Sequence, residues 1–313
     1  MEFKSKMRKD RSGISTVLIA IVVIVVVVVA AAAAYVVLSG NDNDDGEKEA
    51  IAPGTVLEYD MSLFGVVVFA TYKVDIVGQN ADEYFIKVTQ TFVEGGLEYS
   101  AYTVDSKGIP DGATRTGTTQ LDTIHGSKTV NIWEQTEDGE TVKSYVDPSN
   151  QMLMYKQEGM AEGLPITLDL TKYEPVWQTS YEESEAIGTV YEYTTIVGGH
   201  SYDRDMVCVA DITGGKYGMS FDVSNLRDTD DVGKLCYISN YPEGLPADAV
   251  KVGGIITIGA ANYGNVQVEK WSMSVTNESG ITIGASFYCD PVTHTVYRAV
   301  FDESGTPITF ELK

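Results

Sequence analysis

The 313-residue sequence predicts a mainly β protein, in which an N-terminal transmembrane helix precedes two tandem homologous antiparallel β-sheet domains. Three observations predict this architecture. An uncharged apolar run occupies residues 14–38, and six short motifs recur in the same order in two parts of the chain. The remaining segments are rich in β-branched and aromatic residues and alternate between apolar and polar positions, which is the pattern of half-buried strands.

Residues 14–38 form an uncharged stretch of 25 residues that is rich in valine and alanine. A helix rises about 1.5 Å per residue, so this stretch exceeds the roughly 30 Å hydrocarbon core of a bilayer. The apolar region of a cleaved secretory signal is normally shorter, about 7–15 residues. We therefore expect an uncleaved single-pass helix. Removal of the segment is the alternative, because Ala32 and Ala34 offer small residues for a cleavage site.

The charges on either side of the span predict its orientation. Residues 1–13 hold five basic and two acidic residues, which gives a net charge of +3. The whole chain has a net charge of −23, so the remaining residues carry −26. Residues 39–53 form an acidic linker that includes the run NDNDDGEKE. The positive-inside rule places the basic tail in the cytoplasm and residues 41–313 outside the cell membrane. So acidic a chain repels phosphate backbones, and we expect no nucleic-acid partner.

Residues 11–17 (RSGISTV), followed by the apolar run, resemble the N-termini of archaeal type IV pilin-like proteins. In that family a peptidase cuts after the glycine, which is Gly13 here, and the apolar helix then packs into a filament core. The resemblance implies export from an archaeal type of cell. It leaves two alternatives open, a simple membrane anchor and a filament subunit that is processed after Gly13.

Six motifs recur at offsets of 134 to 143 residues. The pairs are residues 54–59 and 188–193 (GTVLEY, GTVYEY), 75–78 and 211–214 (DIVG, DITG), 108–113 and 244–249 (GIPDGA, GLPADA), Gly126 with Trp133 and Gly264 with Trp271, Asp147-Pro148 and Asp290-Pro291, and 163–170 and 305–312 (GLPITLDL, GTPITFEL). Because their order is kept, we expect two homologous domains, residues 54–172 and 188–313, and a connector over residues 173–187. Each domain is long enough to bury its own core.

Both predicted domains read as antiparallel meanders. Residues 85–93 (FIKVTQTFV) and 267–275 (QVEKWSMSV) have strand composition, and glycine-rich turns separate such segments. In the second segment, apolar residues at 271, 273 and 275 alternate with serines, as in a strand with one covered face. We expect about seven or eight strands per domain. A short helix near residues 110–122 or 246–252 stays open.

Each predicted domain closes with an Asp-Pro pair, a strand, a glycine turn and a Pro-Ile-Thr strand. This order resembles the closing hairpins of lipoprotein-carrier (LolA/LolB-like) domains, which are curved antiparallel sheets around an apolar cavity. The resemblance implies a similar sheet, although a sandwich or an open barrel fits the same strands. Trp133 and Trp271, at equivalent positions, mark a candidate face for an apolar ligand such as a lipid. The alternative is that both are core residues of closed domains.

Motifs for catalysis, phosphate binding or metal binding are missing from the sequence: it has no G-x-S-x-G, no HExxH and no P-loop. His125, His200 and His294 are scattered, and none has a histidine counterpart in the other repeat. We therefore expect no metal, no cofactor and no enzymatic activity. The expected role is structural or binding, with an apolar ligand or a cell-surface protein as partner. A cell-surface enzyme is the third alternative, after the filament subunit.

The second predicted domain contains three cysteines and one glycosylation sequon. Outside the cell, a Cys208–Cys236 disulfide between neighbouring strands is one interpretation, and buried free thiols are the other. Cys289 completes the set, so one thiol stays unpaired within a monomer in either case. Asn277 begins the triplet NES in a predicted turn, where a glycan would be exposed.

Overall fold

A computed structural model describes residues 50–106, 112–137, 140–148, 153–161, 163–178, 180–197, 200–222, 234–276, 282–303 and 306–313. Across these ranges the chain is mainly antiparallel β, as the sequence predicts. No helix in them is long and apolar enough to cross a membrane. The predicted span at 14–38, the candidate cleavage site after Gly13 and the sequon at Asn277 lie outside the described residues.

The first eleven strands extend from residue 50 to residue 178. They are β1 (Ala50–Ile51), β2 (Val56–Leu63), β3 (Val67–Gln79), β4 (Glu83–Phe92), β5 (Glu98–Ser106), β6 (Thr114–Thr123), β7 (Gly126–Glu137), β8 (Glu140–Val146), β9 (Met154–Ala161), β10 (Leu164–Glu174) and β11 (Trp177–Gln178). The two-residue strands β1 and β11 pair with each other. The other nine strands, β2 to β10, belong to the first half, by which we mean residues 54–174.

The second half, residues 188–313, contains ten strands among its described residues. They are β12 (Val190–Val197), β13 (His200–Ile212), β14 (Lys216–Asp222), β15 (Lys234–Ser239), β16 (Val250–Lys251), β17 (Ile256–Ala260), β18 (Gly264–Thr276), β19 (Thr282–Cys289), β20 (Val296–Glu303) and β21 (Thr306–Leu312). Both halves therefore hold more strands than the seven or eight expected. Residues 114–123, where a helix was left open, form β6, because threonines and other β-branched residues favour an extended backbone.

The two halves have the same strand order. In the first half, hydrogen-bonded neighbours run β6-β7-β8-β9-β10-β2-β3-β4-β5. In the second half they run β17-β18-β19-β20-β21-β12-β13-β14-β15, with the short β16 also paired to β18. Each strand of one half thus has a counterpart in the other, and β16 with β17 takes the place of β6. That the halves are homologous domains stays a prediction.

Each sheet curls around its own buried side chains. In β2, Leu57, Tyr59 and Met61 are buried while the residues between them are partly exposed, the period of two that a covered strand face requires. They belong to a core cluster formed entirely by residues between 51 and 170. A second cluster, between residues 193 and 312, is rich in aromatic rings such as Phe221 and Phe301, whose centroids lie 5.5 Å apart. Two separate cores therefore stabilise the two halves.

The halves meet through equivalent strands. The end of β3 pairs with the end of its counterpart β13, and β5 pairs with its counterpart β15 through Tyr102 and Cys236. A third small core, which includes Phe85, Ala210 and Cys236, lies at this junction. Two identical subunits meet in the same manner across a two-fold axis, where one patch faces its own copy. The junction therefore resembles the interface of a symmetric dimer whose two subunits have been joined in one chain.

Two glycines permit this close approach. At Gly78 a Cβ atom would lie 2.6 Å from the carbonyl oxygen of Asp211 across the β3–β13 pair. At Gly218 a Cβ atom would lie 2.7 Å from the ring of Phe85, which comes from the other half. Distances under 3.0 Å exclude a side chain unless neighbouring atoms move. Glycine at both positions is therefore a packing requirement of the junction.

The connector, residues 173–187, fastens the junction from outside. The Tyr181 hydroxyl oxygen lies 2.9 Å from the Gln79 carbonyl oxygen and 3.0 Å from the Asp211 carboxylate, and its single proton is shared between these two acceptors. The Ser184 backbone N–H donates to the same carboxylate at 2.9 Å, and the Ala81 N–H donates to the Glu183 carboxylate at 2.7 Å. The connector therefore bonds to both halves at once.

Candidate functional site

A cleft of about 400 Å³ opens at the junction of the two halves. The residues that line it are Ser100, Ala101 and Tyr102 from β5, Cys236, Tyr237 and Ile238 from β15, Asp248 and Val250 from the segment after β15, and Ser272, Met273 and Ser274 from β18. This volume is within the range of about 300–1,000 Å³ that small-molecule sites occupy. We name this space the junction cleft.

The floor of the junction cleft is formed by equivalent residues of the two halves. Residues 100–102 of β5 and residues 236–238 of β15 differ by 136 in number, which is also the offset of two of the sequence repeats. Tyr102 and Cys236 face each other as a pair where the two strands meet. The Tyr102 ring stacks on Phe85 with centroids 5.5 Å apart and planes at 15°, which fixes its orientation. The floor therefore combines equivalent strand positions of the two halves with different side chains.

The walls of the junction cleft come from the second half. The segment between β15 and β16 is tied down by the buried Tyr237 hydroxyl, which donates to the Gly244 carbonyl oxygen at 3.0 Å. The Ala247 N–H donates to the Ile238 carbonyl oxygen at 2.8 Å. Both bonds hold the backbone just before Asp248, an exposed residue that lines the cleft. The rest of the lining is therefore not symmetric, and Asp248 supplies its one carboxylate.

The polar groups of the cleft are hydroxyls and this carboxylate. The Ser100 hydroxyl lies 2.9 Å from the Thr89 hydroxyl, and the Ser272 hydroxyl lies 3.2 Å from that of Ser286. Each hydroxyl has one donor and two acceptor positions, so both serines keep capacity for a ligand. Burial raises the pKa of Tyr102, and the carboxylates of Asp248 and Asp75 raise it further. The phenol therefore stays neutral and serves as a hydrogen-bond donor in a negative field.

Neither tryptophan that marks the predicted apolar-ligand face lines the junction cleft. Trp133, on β7, lies opposite Arg115 and Ser144 and packs against the first core. Trp271, on β18, lies opposite Lys251 and Phe287 and packs against the second core. Their positions are equivalent, as predicted, and both contact side chains of their own half. An apolar ligand at this face stays a prediction.

Cys208, Cys236 and Cys289 are buried, and none of the three forms a disulfide. Cys208 lies opposite Met219 of β14, and Cys236 lies opposite Ser220 of the same strand. Strand β14 thus separates the two thiols of the candidate disulfide, and strands two positions apart are about 10 Å from each other. The structure therefore has the buried-thiol alternative rather than the bridge. Burial raises the pKa of Cys208 to about 12, which keeps that thiol protonated and unreactive.

The histidines lie apart from one another and from the cleft. His125, at the β6–β7 turn, has its Nδ1 3.4 Å from the Tyr155 hydroxyl. His294 stacks on Tyr241 with centroids 4.0 Å apart. His200 begins β13 and is exposed. Within the described ranges, no three histidine, cysteine or carboxylate side chains are grouped so that they could hold a metal ion.

Comparisons with known proteins give only distant likenesses. No protein-family model and no curated protein matches the chain. Among solved structures it is similar to MucB in complex with MucA(peri), with 8% identity, a TM-score of 0.27 and coverage of 83% of this chain and 87% of that one. It is also similar to a putative outer membrane protein from Bacteroides fragilis, with 12% identity, a TM-score of 0.20 and coverage of 83% and 97%. A third likeness, to kievitone hydratase from Nectria haematococca, has 10% identity, a TM-score of 0.19 and coverage of 83% and 87%.

Of the residues that line the cleft, the sequence singled out Cys236 alone, as a candidate disulfide partner. Tyr102 belongs to no motif, and the contact between Tyr102 and Cys236 joins strands that are far apart in sequence. One signal was available. Asp248 lies inside the repeated motif 244–249, where the first copy has Gly112 at the same offset. A charged residue that replaces a glycine in one copy of a repeat indicates a position where the copies differ in role.

Proposed function

We propose that this chain is a single-pass, membrane-anchored extracytoplasmic protein that binds a small organic cation in the junction cleft without catalysing a reaction on it. The observation that carries the proposal is the cleft itself, a cavity of about 400 Å³ between the two halves whose lining has one carboxylate. Its anchoring and location rest on the sequence, through residues 14–38 and their basic flank.

Charge supports a cationic ligand. The lining includes the Asp248 carboxylate and no lysine or arginine. The whole chain carries a net charge of −23, so a cation is attracted to the molecule before it reaches the cleft. Val250, Ile238 and Met273 offer apolar contact beside the carboxylate, which suits a protonated amine on a short apolar body.

Binding without catalysis is supported by the chemistry of the lining. The cleft has one carboxylate and no histidine or lysine, and its thiol, Cys236, is buried among apolar neighbours. A nucleophile needs an adjacent base, and general acid–base chemistry needs groups that titrate near neutral pH. The described lining supplies neither.

Three probes of the same shape test the charge of the ligand. Benzylamine, benzyl alcohol and benzoate carry a positive, a neutral and a negative group on one aromatic body. Titrated into the full-length protein, benzylamine should bind most tightly, as measured by ligand-observed NMR. The substitution Asp248→Asn should weaken benzylamine binding by about two- to fivefold, because an ion pair with an exposed carboxylate contributes at most about 1 kcal/mol.

Asp82→Asn is the matched control, since Asp82 is an exposed aspartate outside the cleft and should leave binding unchanged. Equal binding of benzyl alcohol and benzylamine would overturn the cationic class and favour a neutral polyol. Binding that Asp248→Asn does not affect would place the ligand elsewhere, for example on the face marked by Trp133 and Trp271. Native mass spectrometry that shows a co-purified lipid would support that face.

The anchor has its own test. External protease added to intact cells should digest residues 41–313, and protection of that region would reverse the proposed orientation. N-terminal sequencing of the mature protein separates the two forms of anchor. A chain that begins at Ile14 would favour the filament subunit processed after Gly13, and a retained basic tail favours the simple anchor.

A further inference from the structure

A group of apolar side chains projects into solvent at one end of the first half. The β2–β3 turn exposes five consecutive residues, 64–68, among them Phe64 at 63% and Val66 at 80% exposure. Val93 and Leu97, in the neighbouring β4–β5 turn, are exposed as well. We name Phe64, Val66, Val67, Val93 and Leu97 the apolar tip. Two adjacent turns thus carry large side chains where turns normally carry polar ones.

The backbone holds the apolar tip in place. The Phe64 N–H donates to the Pro165 carbonyl oxygen of β10 at 3.0 Å, and the Val66 N–H donates to the Leu63 carbonyl oxygen at 3.1 Å. The Val93 N–H donates to the Phe69 carbonyl oxygen at 2.9 Å, which joins the second turn to β3. The tip is therefore a fixed protrusion rather than a loose loop.

Phe64 adopts a left-handed backbone conformation, with φ of 55°. A bulky residue in this region is a real outlier, because its Cβ approaches the following carbonyl oxygen. Asparagine or glycine would hold the same turn with less strain. A strained and exposed phenylalanine is destabilising, and strain of this kind concentrates at sites that bind.

The shape and charge of the tip select its partner. No charged residue occurs from Ser62 to Tyr72, so this turn offers hydrophobic contact without directional polar groups. A convex tip buries little area against a second folded protein, whereas stable protein interfaces bury about 1,200–2,000 Å². A lipid bilayer, by contrast, surrounds a convex apolar shape. Glu94 and Glu98 flank Leu97, which favours a zwitterionic over an anionic surface.

The chain before β1 is long enough to bring the tip to a membrane. Strand β2 has eight residues and is about 26 Å long, which is the distance from the start of the β2 strand to its tip. The eleven residues 39–49 reach at most about 37 Å at roughly 3.4 Å each. A tether of this length raises the effective concentration of the bilayer at the tip, so a weak insertion suffices.

We propose that the apolar tip inserts into the bilayer that carries the predicted anchor, a proposal that rests on the proposed membrane anchoring. The inserted tip is a second attachment point for the first half, and it fixes how the junction cleft faces the surface. Among the described residues of the second half, Ile196 is exposed near the end of β12, and the next strand begins with the polar residues His200 and Ser201.

A fluorescent label measures the insertion. Val66→Cys is coupled to an environment-sensitive dye in the full-length protein, whose three native thiols are buried. In phosphatidylcholine proteoliposomes, the emission should shift to the blue and be quenched by a nitroxide on the lipid chains. The matched control is Ile196→Cys, at a position 73% exposed near the end of the counterpart strand β12, which should show neither effect.

The substitution Phe64→Asn separates binding from folding. It should reduce quenching of the label at position 66 and raise the midpoint of thermal unfolding by about 2–4 °C, since it relieves the left-handed strain. Equal quenching at positions 66 and 196 would overturn the proposal. A label at position 66 that is shielded from water but not quenched by the lipid nitroxide would also overturn it, in favour of a protein partner or a second copy. Alkaline carbonate extraction reports separately on the anchor, because a chain released by carbonate lacks the proposed span whatever the tip does.

Discussion

The two halves of this chain share a strand order and differ at their surfaces. Strands β3 and β13 occupy the same place in their sheets and have thirteen residues each, yet β3 begins with Val67 and β13 begins with His200. The segment that walls the junction cleft likewise has Asp248 where the first half has Gly112. Strand order is thus common to both halves, while the apolar tip lies in the first half and the carboxylate of the junction cleft comes from the second. The difference indicates that two halves with one strand order carry different surfaces.

The largest expected effect is on the junction that joins the halves. Phe85 is fully buried, stacks on Tyr102 and fills the space that Gly218 leaves open. Phe85→Ala should cost about 3–5 kcal/mol of stability. Because the lost contacts connect the halves, scanning calorimetry should show the single unfolding transition split into two.

Phe92→Ala is the control for that experiment. Phe92 is buried in the first core and takes no part in the junction core. Its loss should lower the transition temperature by a similar amount without splitting it. If the two variants unfold alike, the halves do not depend on the junction for their coupling.

A smaller effect is expected where β3 meets β13. Gly78→Ala would place a methyl group 2.6 Å from the Asp211 carbonyl oxygen, and overpacking of this kind costs about 1–3 kcal/mol. Gly117, in β6, has open space around its Cβ position, so Gly117→Ala should be neutral or slightly stabilising. Urea unfolding of the two variants measures the difference. Equal stability would show that β3 and β13 separate without loss.

The smallest effect concerns the repeated Asp-Pro pair. The Asp290 carboxylate accepts the N–H groups of Val292 and Thr293, each at 2.8 Å, and these bonds hold the pKa of Asp290 below its ordinary value. A lowered folded-state pKa stabilises the protein fully above the unfolded value of about 3.9 and less as pH falls through the folded value. Its counterpart Asp147 accepts a hydrogen bond from the Tyr155 hydroxyl at 3.0 Å.

Asp290→Asn should therefore lower stability at pH 7 by less than about 1 kcal/mol, since the group is solvent accessible. The gap between variant and wild type should narrow as the pH is lowered to 3. Thermal unfolding at pH 7, 5 and 3 measures this gap. A gap that stays constant with pH would show that the carboxylate acts through packing rather than through its charge.

Much of the framework was predictable from local pattern. Residues 85–93 and 267–275 are predicted strands, and they coincide with β4 and β18. Trp271 and Met273 pack against the second core, as the alternation in that segment predicts. The strand β6 was not predicted, because residues 114–123 alternate too weakly in hydrophobicity and their threonines were the main signal.

The candidate sites were harder to predict for two physical reasons. The cleft depends on a contact between Tyr102 and Cys236, and no local rule reports which distant strands pair. The sequence of the apolar tip predicts a buried strand, because an apolar run such as VVVF at residues 66–69 normally lies inside a sheet. A phenylalanine-glycine pair immediately before this run was the signal that a turn, and hence an exposed tip, begins there.

The fit of Phe85 against Gly218 has a consequence for the order of events during synthesis. The two residues are 133 positions apart, so at a synthesis rate of about 5–20 residues per second Gly218 is added about 7–27 s after Phe85. During that interval the junction surface of the first half is exposed. It can pair with the second half of a neighbouring copy in the same way as with its own. Synthesis of many copies close together therefore favours exchange of halves between copies, which would yield swapped oligomers with every native pairing intact.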